Sequence, residues 1–146
     1  MMKNLLKRIG LVFLIFAAVV FGGRWLLDLF GVIKYEPPLS QDPLNIEQIE
    51  LLDTSEQESV VLYSITGEEI DQFLIDFMDV DAGRYANDPA VYHGDRTIKI
   101  YYSDGGYDLL GDVVDFYSAT GERLPTGGWY YIPYDDMDAV FNAYID

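Results

Sequence analysis

An uncharged run of 15 residues, Ile9 to Gly23, sets the first constraint on this chain. Lys3, Lys7 and Arg8 stand directly before it. The run is at the short end for a membrane span. Adding Leu5 and Leu6 below it, or Trp25 to Ile33 above it, brings it to spanning length. A signal-peptidase site needs small residues at fixed places, and AAVVFGG offers only Val20 and Gly22. Residues 1–33 are therefore expected to form an uncleaved signal anchor, with Trp25 in the interfacial aromatic belt. The basic residues before the run outnumber Arg24 at its far edge, which places the N-terminus in the cytoplasm. The rest of the chain is then extracytoplasmic, held as a single-pass protein of the cell membrane. Pro37, Pro38 and Pro43 mark residues 34–44 as a stalk.

Beyond the stalk the charge changes sign. Residues 1–38 hold five basic residues against two acids, whereas residues 39–146 hold four against 23, a net of −19. Such a body repels phosphate, which excludes nucleic acid and favours a cation or a basic protein as partner. The plainer reading is solubility. The chain has no cysteine, so neither disulfides nor thiolate metal sites are available.

Residues 45–146 read as one acidic α+β domain. IEQIELL and SVVLYSI are two strands joined by a polar loop. Thr66 and Glu69 have capping-box spacing, and Ile70, Phe73, Leu74 and Phe77 form one stripe of a following helix. Gly83 is the expected helix stop, and residues 84–95 a loop. TIKIYY-SDGG-YDLL is a hairpin. It should put Ile98, Ile100 and Tyr102 on one face and Thr97, Lys99 and Tyr101 on the other. VVDFYS and WYYI supply further strands. A closing helix carries Met137, Val140, Phe141 and Tyr144, with Asp135 as N-cap and Asp136 and Asp138 in its first turn. The expected order is ββα-βββ(β)α: an antiparallel sheet with two amphipathic helices on one face and the other face open.

Most catalytic chemistry finds no footing. His93 is the only histidine, no Gly-x-Ser-x-Gly elbow is present, and SDGG lacks the Lys-Ser/Thr of a phosphate loop. No catalytic residue and no cofactor are expected. Calcium is the one metal worth naming, with Asp76, Asp79 and Asp81 as candidates. The EF-hand pattern fails, however: Gly83 comes one place early and Ala90 stands where Glu is needed. The alternative for these acids is a solvated helix end. Ten of the twelve tyrosines lie between Tyr85 and Tyr144. Tyrosine fills sheets and also makes binding surfaces. Trp129, Tyr131 and Tyr101 are the partner-binding candidates, because pleating sends Trp129 and Tyr131 to the same side.

GLVFLIFAAVV, SITGEEIDQFL, TIKIYYSDGG and GWYYIPYDDMDAVFNAYI together give a layout that resembles small membrane-anchored exported proteins of Gram-positive bacteria. Some of these resemble anchored immunity proteins, which protect a cell from exported toxins of its own kind. The resemblance implies an anchored protein that binds a protein partner, and it assigns no functional residue. The expectation is a non-enzymatic binding protein. The alternative is a carboxylate- or calcium-dependent enzyme of the envelope.

Overall fold

A computed structural model describes residues 2–29, 35–89 and 94–145. His93 and Ala90 fall outside the described residues. Helix α1, Met2–Leu29, contains the stretch Gly10–Leu27, whose mean hydropathy is 2.1 and none of which is buried against the rest of the chain. It is long and apolar enough to cross a membrane.

The domain is built from β1 (Ile46–Asp53), β2 (Val60–Thr66), α2 (Glu69–Met78), β3 (Gly83–Tyr85) and β4 (Arg96–Tyr102). It continues with β5 (Tyr107–Leu110), β6 (Val114–Tyr117), β7 (Arg123–Leu124), β8 (Trp129–Tyr131) and α3 (Tyr134–Ile145). Six strands form one antiparallel sheet in the order β2-β1-β4-β5-β6-β7. The expected α+β class holds. The alternation of β1 and β4 decides which face is core. Ile49 pairs with Ile100 and Leu51 with Ile98, and all four have 0% exposure. Each such side chain contributes about 1.5–3 kcal/mol of burial. Phe73 and Phe77 of α2 and Met137 and Phe141 of α3 close over this face. The turn between β4 and β5 depends on Gly105, whose φ of +88° suits a residue without Cβ.

Several local expectations need correction. The capping box is absent: Thr66 ends β2 opposite Gln48, and Glu68 stands at the N-cap without a side-chain bond. Gly67, at φ +61°, turns the chain instead, and its carbonyl accepts from Ile70 N–H. Gly83 does not stop α2, which ends at Met78 with Asp79 as C-cap. It opens β3 within the expected loop. The final strand does not join the main sheet either. β8 pairs with β3 in a separate two-stranded ribbon. Asp135 is not the N-cap, because α3 already begins at Tyr134. Asp135 and Asp136 occupy the first turn, where the helix dipole favours acids. Asp138 pairs with Arg96 at 2.8 Å.

Residues 35–42 lie along the domain. Tyr35 and Ala82 exchange backbone hydrogen bonds of 2.9 and 2.7 Å, and Pro37 is buried. Ser40 N–H donates to Asp108 Oδ2 at 2.8 Å, and the Tyr102 hydroxyl donates to the same oxygen at 2.6 Å. Asp108 is fully buried and its other oxygen has no hydrogen bond among the described residues. Burial pushes its carboxyl above the ordinary carboxylate value, against the bonds from Ser40 and Tyr102, which pull it down.

A raised folded-state pKa means that Asp108 stabilises the fold when protonated. That contribution is present below the ordinary carboxylate value and is lost as pH rises through the raised one. Asp108→Asn keeps an acceptor for both donors and removes the charge. Its stability relative to the native chain should therefore increase from pH 4 to pH 8, measured by urea unfolding of the detergent-solubilised protein. Asp108→Ala removes the acceptor of the Tyr102 hydroxyl and should cost about 1–3 kcal/mol.

Candidate interaction surface

Neither α2 nor α3 lies on the second face of the main sheet, and hairpin register assembles its side chains. Tyr101 pairs with Tyr107, Tyr107 with Tyr117, and Tyr117 with Arg123. Four successive strands therefore place three tyrosines and an arginine in one row. The Tyr107 and Tyr117 rings stack at 4.9 Å with planes 15° apart, and Tyr101 lies 6.4 Å from Tyr107. Lys99 Nζ sits 4.6 Å from the Tyr101 ring centroid and 4.4 Å from that of Tyr107. Tyr107 is thus flanked by Tyr117 on one side and by Lys99 and Tyr101 on the other. Both faces of the Tyr107 ring are therefore occupied, and a sugar or base that stacks on an aromatic face finds no free platform there.

The row is chemically quiet. The Tyr101 hydroxyl donates to Glu50 Oε2 at 2.8 Å. Burial, followed by that bond and the charge of Glu50, pushes its pKa up to about 12. Tyr117 is also pushed up, first by burial and then by Asp115. Arg123 pairs with Asp115 and places its guanidinium 5.5 Å from the Trp129 ring. Along these strands Glu50 and Asp115 offset Lys99 and Arg123, leaving the row close to neutral although residues 39–146 carry a net −19. Beyond the row, Leu52, Thr97 and Leu109 floor a cleft of about 260 Å³ bordered by residues 54–59.

Trp129, Tyr131 and Tyr101 therefore occupy different settings. Tyr101 begins the row and Trp129 meets its far end through Arg123. Tyr131 is held within the β3–β8 ribbon: its ring lies across Gly83 and 4.4 Å from the Tyr85 ring. Tyr130 points to the opposite side, against Tyr35 and beneath Arg84. Tyr107, Tyr117 and Arg123 escape a reading by local pattern. Their signal is symmetry: each neighbouring pair in the row is equidistant from a turn, at Asp104, Asp112 or Thr120.

The calcium candidates are not drawn into a cage. Asp76 accepts from Gln72 on the same helix, Asp79 caps α2, and Asp81 is exposed. Among the described residues no three acids, histidines or cysteines are placed to hold a metal ion. Asp95, Asp112 and Asp138 line a cavity of about 280 Å³, where Tyr134 hydroxyl donates to Asp112 and Arg96 to Asp138. Compared with protein-family models, curated proteins and solved structures, the chain finds no match.

The seat of Tyr131 is open to test. A Cβ at Gly83 would stand 2.1 Å from Tyr131 Cζ, so the ring must move. Gly83→Ala should destabilise the domain by about 1–3 kcal/mol. In a Tyr131→Ala background the same change should cost less than half as much, read from unfolding of the four members of the cycle. Equal costs in both backgrounds would mean that the ring is not what the methyl meets.

Proposed function

We propose that this chain is a non-enzymatic binding protein, anchored by α1 and docking a basic protein partner on the outer side of the membrane. The observation that carries the reading is the Tyr101–Tyr107–Tyr117 row on a sheet face that neither α2 nor α3 covers. Tyrosines give large contact area at small entropic cost, and their hydroxyls supply hydrogen bonds at an interface. Trp129 and Arg123 extend the same surface with residue types enriched at binding hot spots. The −19 charge of residues 39–146 would draw a basic partner from a distance.

The outward placement rests on the basic residues before the apolar run, Lys3, Lys7 and Arg8. An anchored immunity protein is the sharpest form of this reading: a domain outside the cell that captures a basic toxin and covers its working surface. Fast electrostatic capture followed by a tyrosine-rich contact suits that task.

A photoreactive residue in place of Tyr107, in the full chain within intact cells, tests the docking face. A discrete covalent adduct with another protein is expected from position 107 and not from Leu44, which is 91% exposed and lies outside both the row and the two closing helices. The captured partner should bind the nanodisc-embedded chain about tenfold more weakly at high salt than at low salt. Adducts from position 44 alone, or affinity independent of salt, would overturn the proposal.

A further inference from the structure

We propose that the groove between α2 and α3 receives the apolar face of a basic amphipathic helix from a partner protein. It rests on the reading of this chain as a binding protein, and adds a second surface on the layer opposite the tyrosine row. The groove has a volume of about 210 Å³. Phe73, Phe77 and Val140 form its apolar lining, and Ala139 and Ala143, one helical turn apart, leave the space above it. Asp76 stands on the α2 rim and Asp136 on the α3 rim.

Shape and charge select the occupant. Two packed helices offer the ridges and grooves against which a third helix seats, with apolar residues spaced three and four apart. α2 carries Glu69, Asp71 and Asp76, α3 carries Asp135, Asp136 and Asp138, and neither contains a basic residue. Arg96 reaches this layer from β4, but it is held by Asp138 and lies over Phe141. A second copy of the chain would bring acid against acid, and an anionic lipid surface would be repelled. Lys or Arg residues flanking an apolar helical stripe would instead meet Asp76 and Asp136 as its apolar side chains enter the groove. The field at this place is already felt by Tyr144, which burial first, then Asp76 and Glu69, pushes above the usual tyrosine value.

The probe is a synthetic amphipathic peptide of Leu and Lys, with a photoactivatable side chain on its apolar face. It is added to the full chain in phosphatidylcholine nanodiscs, and the labelled residues are mapped by mass spectrometry. Labelling is expected on α2 and α3. Ala143→Trp, which fills the groove, and the double change Asp76→Asn with Asp136→Asn should each lower it about tenfold. Tyr107→Ala should leave it unchanged, and a peptide with Glu in place of Lys should not label. The double Asn change keeps the test decisive if Ala143→Trp perturbs folding. Labelling that persists in the double Asn variant, or equal labelling by the Glu peptide, overturns the inference. Labelling confined to the sheet face and lost in Tyr107→Ala also overturns it, while leaving the tyrosine row as the docking surface.

Discussion

The pairing of β1 with β4 is the constraint on which the rest of the structure depends. Its register sends Ile49, Leu51, Ile98 and Ile100 to one side. It sends Gln48, Glu50, Lys99 and Tyr101 to the other. A slip of one residue would exchange the two sets, putting the Lys99 charge under the phenylalanines of α2 and α3. Because the core forbids that slip, every strand added outward inherits its facing from this pair. β5 carries Tyr107 to the side of Tyr101, β6 carries Tyr117 to the side of Tyr107, and β7 adds Arg123. The tyrosine row is thus a consequence of core packing on the opposite face.

Residues 35–42 are fixed by the same sheet. Asp108 sits on the core-facing side of β5, and the backbone of Ser40 closes over it. Gln41 reaches Asp104 in the adjoining turn, and Tyr35 bridges to Ala82 and stacks edge-on with Tyr130. Tyr35 thereby joins this segment to the β3–β8 ribbon, and Asp108 joins it to the main sheet. A buried carboxylate is a costly way to hold a strap, since its charged form loses hydration. Here two donors on one oxygen offset part of that cost.

Signals that repeat along the sequence were the ones that could be read. The β4–β5 hairpin, the stripes Ile70–Phe73–Phe77 and Met137–Phe141, and the apolar α1 all follow from periodicity, because each pattern must match one buried face. Helix ends were harder. Thr66 and Glu69 have the right spacing for a capping box, but strand pairing to Gln48 holds Thr66, and Gly67 turns the chain without a side-chain cap. The β3–β8 ribbon was hidden because Gly83 and Trp129 are far apart in sequence, and a strand of three residues leaves no period to detect. Of the three surface candidates, Tyr101 and Trp129 lie at the two ends of the row. Tyr131 is engaged by Gly83, a close approach that only three-dimensional structure reveals.

Acidity and tyrosine content, which look like one property in the sequence, belong to different layers. Helices α2 and α3 carry acids without bases, while the tyrosine row balances Glu50 and Asp115 with Lys99 and Arg123. Long-range attraction falls with ionic strength, whereas contact between ring edges depends on fit and burial. The proposed basic partner would therefore meet two physically distinct demands. The domain's charge would govern its approach, and the tyrosine row and the α2–α3 groove would govern how long the complex lasts. Neutrality at the row carries a further advantage: its charged side chains are already paired or placed against rings, so covering them strands little uncompensated charge. On the helix layer the carboxylates have few basic partners among the described residues, and the same burial would be favourable only with an incoming surface that brings the missing positive charge.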